Sequence, residues 1–201
     1  MSKRLYVAYG SNLNIQQMAS RCPGAKLYGT GVIENFELQF KGQPHGAFAT
    51  IAPKDGASVP VAVWEISKRN EQALDRYEGY PSHYFKQDVP VQLDGKEVTA
   101  MVYVMNLKMD FGLPAPYYYD VVREGYEDCG LDPAALEQAL RESTVQFYGS
   151  HWPHQESIFR FESDAEPDED ELEEDDDPDL DEDEPELDET DPFYFSEGMH
   201  L

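Results

Sequence analysis

Leu5-Tyr6-Val7-Ala8-Tyr9-Gly10-Ser11-Asn12-Leu13 is the stretch from which the rest of the chain can be read. Its apolar start, residues 5–8, predicts a short buried strand. Gly10, Ser11 and Asn12 all favour turns. Gly10 is free to take a positive φ and to let a ligand come close to the backbone. Successive N–H groups in such a turn form a small anion-binding nest, to which a following helix adds its positive end. Residues 14–21 can supply that helix, with Asn12 or Asn14 as its cap. Spacing alone leaves two readings open: a cradle for a carboxylate or phosphate, or a plain strand-turn-helix with no ligand.

Outward from this stretch, 201 residues with 40% hydrophobic content allow one domain with a sizeable core. The net charge of −26 is unevenly spread. Residues 1–160 hold all 15 basic residues against 19 acids, a charge of −4; the remaining 22 acids follow Arg160. The expected organisation is a domain over residues 1–145, a connecting segment over 146–161 and a disordered acidic tail over 162–201 that ends in an aromatic patch. This charge excludes a nucleic-acid-binding face, and the tail would repel phosphate backbones. No N-terminal run is long and apolar enough for a signal peptide or membrane span, so the expectation is a cytoplasmic protein without a membrane partner. Cys22 and Cys129 form no CxxC pair and read as buried free thiols. His151-Trp152-Pro153-His154 lacks a Cys or carboxylate at ligand spacing, so no metal is expected.

Phe36, Leu38 and Phe40 alternate with polar residues as in a half-buried strand. Residues 42–46 read as a loop, 47–53 as a strand, and Lys54-Asp55-Gly56 as a turn before the β-prone run 59–66. Ser67 predicts a helix N-cap with Glu71 close behind, and Gly79 predicts its stop. Glu78 then falls at the negative end of that helix, which raises a carboxylate's pKa; an apolar pocket raises it further. Residues 84–91 and 98–104 pair as a hairpin around Asp94-Gly95-Lys96. The expected fold class is α+β, with six or seven strands and helices over 117–129 and from Asp132-Pro133 onward.

Four segments, Tyr9-Gly10-Ser11-Asn12-Leu13, Ala49-Thr50-Ile51-Ala52-Pro53, Leu74-Asp75-Arg76-Tyr77-Glu78-Gly79 and Pro114-Ala115-Pro116-Tyr117-Tyr118-Tyr119, together resemble the γ-glutamylcyclotransferase-like (AIG2-like) family. The resemblance implies a small mixed barrel-like sheet with flanking helices. It also implies that a γ-glutamyl amine, amino acid or peptide closes on itself to 5-oxoproline and releases the amine, with neither metal nor organic cofactor. Residue by residue, Glu78 matches the catalytic glutamate, and Tyr118 the tyrosine lining the pocket, while Tyr117 and Tyr119 pack the helix. The substrate-binding set is Tyr9, Gly10, Ser11, Asn12, Leu13, Tyr84 and Tyr118: the turn pins the α-carboxylate, and Tyr9, Tyr84 or Tyr118 steadies the oxyanion. Glu78 would take a proton from the α-ammonium and return it to the leaving amine.

One departure from the family pattern is the run Val59-Pro60-Val61-Ala62-Val63, where many members carry a small glycine; a bulkier side chain there would narrow the pocket. Two other function classes remain open on sequence. One is a non-catalytic module that holds a small acid or peptide. The other is an interaction protein whose acidic tail tethers a protein partner.

Overall fold

The computed structural model describes residues 3–151. The acidic tail, its terminal aromatic patch and Trp152-Pro153-His154 lie outside the described residues.

Five strands form a closed barrel in the order β1-β3-β2-β4-β5. β1 (Lys3–Ala8) pairs antiparallel with β3 (Gly46–Ser67) and parallel with β5 (Lys96–Met105), which closes the ring. β2 (Lys26–Gln43) pairs along its length with β3, and β4 (Tyr84–Leu93) pairs with β5. Val7, Val61, Val63, Met101 and Val102 of these strands are almost completely buried.

The six or seven expected strands are five because two pairs are continuous. Residues 26–34 run on into the 36–40 segment as the single strand β2 through a register shift around Asn35, whose φ is 60°. Opposite it, Lys54-Asp55-Gly56 does not end a strand. β3 passes through these residues, and the Gly56 N–H donates to Asn35 Oδ1 at 3.0 Å. A bulge adds residues and bends a strand without ending it, and its composition matches that of a turn.

Helix α1 (Ile15–Arg21) follows a single 3₁₀ turn at Ser11–Leu13, and Asn14, not Asn12, is its cap, accepting from Gln17 N. α2 (Lys68–Tyr77) links β3 to β4. Ser67 caps it, but the reciprocal partner in the capping box is Asn70. Glu71 instead faces Arg4 and Lys86. α3 (Pro116–Asp128) and α4 (Ala134–His151) complete the chain as described, with Asp132 accepting from Ala134 N at the start of α4. None of the described helices is long and apolar enough to cross a membrane.

α3 lies directly on the 3₁₀ turn. A Cβ at Gly125 would stand 2.6 Å from both the Asn14 nitrogen and the Leu13 Cβ, so only glycine permits this approach. Leu13 is fully buried in that contact. Tyr119 packs its ring on Phe40, but Tyr117 does not pack the helix as expected; it is 76% exposed, because the first turn of α3 carries it round to the outer face.

Candidate active site

Glu78 is the C-cap of α2, and its N–H bonds back to the Leu74 carbonyl. Gly79 follows with φ +64°, and the Tyr80 N–H donates to the Asp75 carbonyl at 2.9 Å. This pattern closes a helix with a left-handed residue, which glycine adopts without penalty. On its side, α2 is tied to the barrel wall by Lys86 of β4, which pairs with both Glu71 and Asp75. Tyr103 of β5 donates to Asp75 Oδ1 at 2.7 Å. The end of α2 is thus held on two strands, and the Glu78 carboxylate turns inward.

It meets the turn after β1. Asn12 Nδ2 donates to Glu78 Oε1 at 2.9 Å and to Tyr6 Oη at 2.7 Å. Both groups line a small cleft with a cavity volume of about 30 Å³, which Tyr9, Gly10 and Ser11 also border. Its far wall is Ala49 of β3, with Tyr84, Tyr103 and Tyr118 around it. The sequence-predicted residues Tyr9, Gly10, Ser11, Asn12, Glu78, Tyr84 and Tyr118 therefore come together round one cavity. Leu13 is the exception: its side chain points into the packing under α3, away from the cleft. Val61, Ala62 and Val63 do not narrow the cleft, because they lie within the barrel core and Ala49 forms the wall.

Gly10 plays a different part from the one its type suggests. Its φ is −118°, not positive. What it supplies is space, since a Cβ there would lie 3.2 Å from Tyr118 Oη and 3.3 Å from Ala49 Cβ. In the 3₁₀ turn the backbone bonds use the N–H groups of Leu13 and Asn14, which donate to Gly10 and Ser11 carbonyls. The first N–H groups of any helical turn have no partner within the turn. Here those belong to Ser11 and Asn12, at the cleft.

Burial pushes the Glu78 carboxyl up to about 7, against the downward pull of Arg21 and of the Asn12 hydrogen bond. Desolvation dominates. Burial, joined by the nearby Glu78 charge, also raises Tyr6, Tyr9, Tyr84, Tyr103 and Tyr118, so all five phenols remain protonated near neutral pH.

The protons of these phenols are unequally committed. Tyr9 donates to the Tyr103 carbonyl at 2.6 Å, and Tyr84 donates to the Ala49 carbonyl at 3.0 Å. Tyr118 instead accepts from the Ala49 N–H at 3.1 Å. A phenol has one proton, so Tyr118 keeps its own for a ligand while Tyr9 and Tyr84 have spent theirs.

Tyr6, Tyr103 and Arg21 were not singled out from sequence. The tyrosines belong to apolar strand runs that read as core, and Arg21 reads as a surface residue in a last helical turn. Among the described residues, no group of three or more His, Cys, Asp or Glu is placed to hold a metal.

The model of the family described as gamma-glutamyl cyclotransferase, AIG2-like, matches residues 6–120. This chain belongs to that family. The match opens at Tyr6 and closes just past Tyr118, so every residue of the cleft lies within it. The chain is 34% identical over 140 residues to gamma-glutamylcyclotransferase from Bos taurus, covering 63% of this chain and 72% of the relative. Against gamma-glutamylcyclotransferase from Homo sapiens it is 32% identical over 146 residues, covering 68% and 77%. A solved gamma-glutamyl cyclotransferase structure superposes with a TM-score of 0.63 at 32% identity, covering 70% of this chain and 87% of that one. The barrel and its helices are thus those of the gamma-glutamyl cyclotransferase fold.

Proposed function

We propose that this protein is a cofactor-independent γ-glutamylcyclotransferase, acting on a γ-glutamyl amine, amino acid or peptide. The observation that carries the reading is the Glu78 carboxyl, pushed up to about 7 and facing the Ser11 and Asn12 turn in one small cleft. A base with a pKa near the working pH can both take and return a proton.

The steps follow from the groups around it. The substrate α-carboxylate is held by the N–H groups of Ser11 and Asn12. This fixes the α-amine beside Glu78 and folds the γ-carbonyl back toward it. Ring closure within one molecule gains most from such positioning. Glu78 takes a proton from the α-ammonium; the freed amine attacks the γ-carbonyl carbon, and a new C–N bond forms. Tyr118, with its proton uncommitted, donates to the oxyanion. The bond to the amine partner then breaks as Glu78 returns its proton to the departing nitrogen, and the ring nitrogen gives its second proton to the Glu78 carboxylate so freed, which passes it to the amine as that leaves as an ammonium. The products are 5-oxoproline and the free amine. Cys22 and Cys129, which form no disulfide, fit a reducing compartment such as the cytoplasm.

Release of 5-oxoproline from a panel of γ-glutamyl compounds tests the reading, wild type against Glu78→Gln. The expected outcome is release by wild type and a loss of about 10² to 10⁴-fold in kcat on removing the proton shuttle. Binding of the substrate should persist in the variant. A folded wild-type protein that releases nothing from any γ-glutamyl compound would replace the enzyme with a small-acid binding module.

A further inference from the structure

Arg21 takes no part in the steps above, yet its guanidinium stands among the polar groups that face Glu78. One of its nitrogens, Nη1, donates to Ser11 Oγ at 3.0 Å and to Asn12 Oδ1 at 2.8 Å. Nη2 donates to Gln17 Oε1, one turn back in α1. The guanidinium carbon lies 3.8 Å from the centroid of the Tyr77 ring, a cation–π contact that ties α1 to the end of α2.

This arrangement decides which way the Asn12 amide points. The two ends of an amide have nearly the same shape, and its orientation is set by its partners. Arginine has only donors, so the Asn12 atom that meets it must be the oxygen. The nitrogen is then turned to the other side, where it reaches Tyr6 Oη and Glu78 Oε1. Were the amide free to flip, its oxygen would face a carboxylate and repel it.

We propose that Arg21 is a positioning residue for the reaction: by engaging the Asn12 oxygen it holds the Asn12 nitrogen against Glu78 Oε1, which leaves Oε2 to carry the proton. This rests on the reading of Glu78 as proton shuttle. The other titratable groups around Glu78 are phenols: Tyr6 on β1 and Tyr9 just after it, Tyr84 on β4, Tyr103 on β5 and Tyr118 on α3, with Tyr77 beside it on α2. Behind Tyr103, Asp75 of α2 is paired with Lys86 of β4. Arg21 is the cation that draws the Glu78 pKa downward. Its loss therefore moves the Glu78 titration to higher pH, and the acid limb of kcat/KM follows, because attack needs the unprotonated carboxylate.

Arg21→Met keeps an apolar stem against Tyr77 and removes both donors and charge. The expected result is a fall of about 10 to 10²-fold in kcat/KM, the scale of a misplaced reacting group. The fall should lie mainly in kcat, with KM changed by less than about threefold, as for an interaction made in the transition state. The acid limb should rise, and Arg21→Lys should recover part of the rate. A ¹³C NMR titration of the Glu78 carboxyl in the full chain, assigned with Glu78→Gln, gives a readout without turnover: its midpoint should rise in Arg21→Met. A folded Arg21→Met with unmoved midpoint and unmoved acid limb overturns the proposal. If Arg21→Met does not fold, Arg21→Lys decides, and wild-type kcat and pH profile there overturn it equally. Absence of 5-oxoproline release from wild type and variants alike would defeat the enzymatic reading, while the NMR midpoint would still decide whether Arg21 governs Glu78.

Discussion

Asn12 Nδ2 donates to Glu78 Oε1 across 2.9 Å, joining the turn after β1 to the C-cap of α2. The bond couples the group that would grip a substrate carboxylate to the group that would move its proton. A shift of either backbone segment therefore changes both functions at once, and the four predictions below probe that coupling from different sides.

The buried Glu78 carboxyl makes stability depend on pH. Its pKa rises from the ordinary 4.5 to about 7 on folding, so between those values the native state binds more protons than the unfolded chain. Stability then falls as pH rises through this window. Glu78→Gln removes the effect. Its thermal stability should match that of wild type near pH 4 and exceed it near pH 8, by up to roughly 3 kcal/mol for a shift of this size. Thermal melts of both proteins across that range make the comparison; a difference that stays constant with pH would mean the carboxyl is well solvated.

Tyr118 and Tyr84 should behave differently when their hydroxyls are removed. Tyr118 accepts from the Ala49 N–H and is proposed to donate its own proton to the oxyanion, so Tyr118→Phe should cost about 10² to 10³-fold in kcat, as for a lost oxyanion donor. Tyr84 has given its proton to the Ala49 carbonyl. Each variant leaves one Ala49 backbone group without its partner, so both should cost about 1–3 kcal/mol of stability, but Tyr84→Phe should bring the smaller change in kcat. Steady-state kinetics beside denaturant unfolding separate the two; equal kinetic losses would contradict the assignment of protons.

Gly10→Ala introduces a methyl 3.2 Å from Tyr118 Oη and 3.3 Å from Ala49 Cβ. These contacts are tight but not impossible, so the neighbours must give by a few tenths of an ångström. The protein should fold with a stability loss near 1 kcal/mol, the low end for overpacking. Its kcat/KM should fall about tenfold or more, since the displaced hydroxyl is the proposed oxyanion donor. Kinetics at wild-type level would show that Tyr118 tolerates movement and is not positioned for chemistry.

Gly125→Ala reaches the site from behind. Its methyl would lie 2.6 Å from the Asn14 nitrogen and 2.8 Å from the Leu13 carbonyl carbon, backbone atoms that cannot step aside as a side-chain end can. α3 or the 3₁₀ turn must move, with an expected cost of about 1–3 kcal/mol. The turn holds Ser11 and Asn12, so KM for the γ-glutamyl substrate should rise as well. Melting temperature and KM measured together test this, and a destabilised variant with unchanged KM would place the adjustment in α3 alone.

Much of this molecule is legible in single residues of the sequence. The alternation at Phe36, Leu38 and Phe40 marks strand β2, and Leu38 and Phe40 are buried there. Ser67 and Gly79 mark both ends of α2, since capping chemistry is local. Lys54-Asp55-Gly56 misleads, because a bulge and a hairpin use the same residues and differ only in whether the strand continues. Tyr117 misleads for a related reason: in a run of three tyrosines, only the phase of α3 against the sheet decides which ring is buried.

The sequence by itself determined the local pieces: the strand and turn from Tyr6 to Leu13, the helix that ends at Glu78, and the resemblance that links them. Those depend on backbone preference and spacing along the chain, which short segments carry in full. Tertiary structure decided the chemistry. Desolvation of Glu78, the acceptance by Tyr118 of the Ala49 N–H and the cation–π contact of Arg21 with Tyr77 each arise from groups far apart in the chain. A pKa and a hydrogen-bond direction depend on what surrounds an atom in space, and no stretch of sequence holds that information alone.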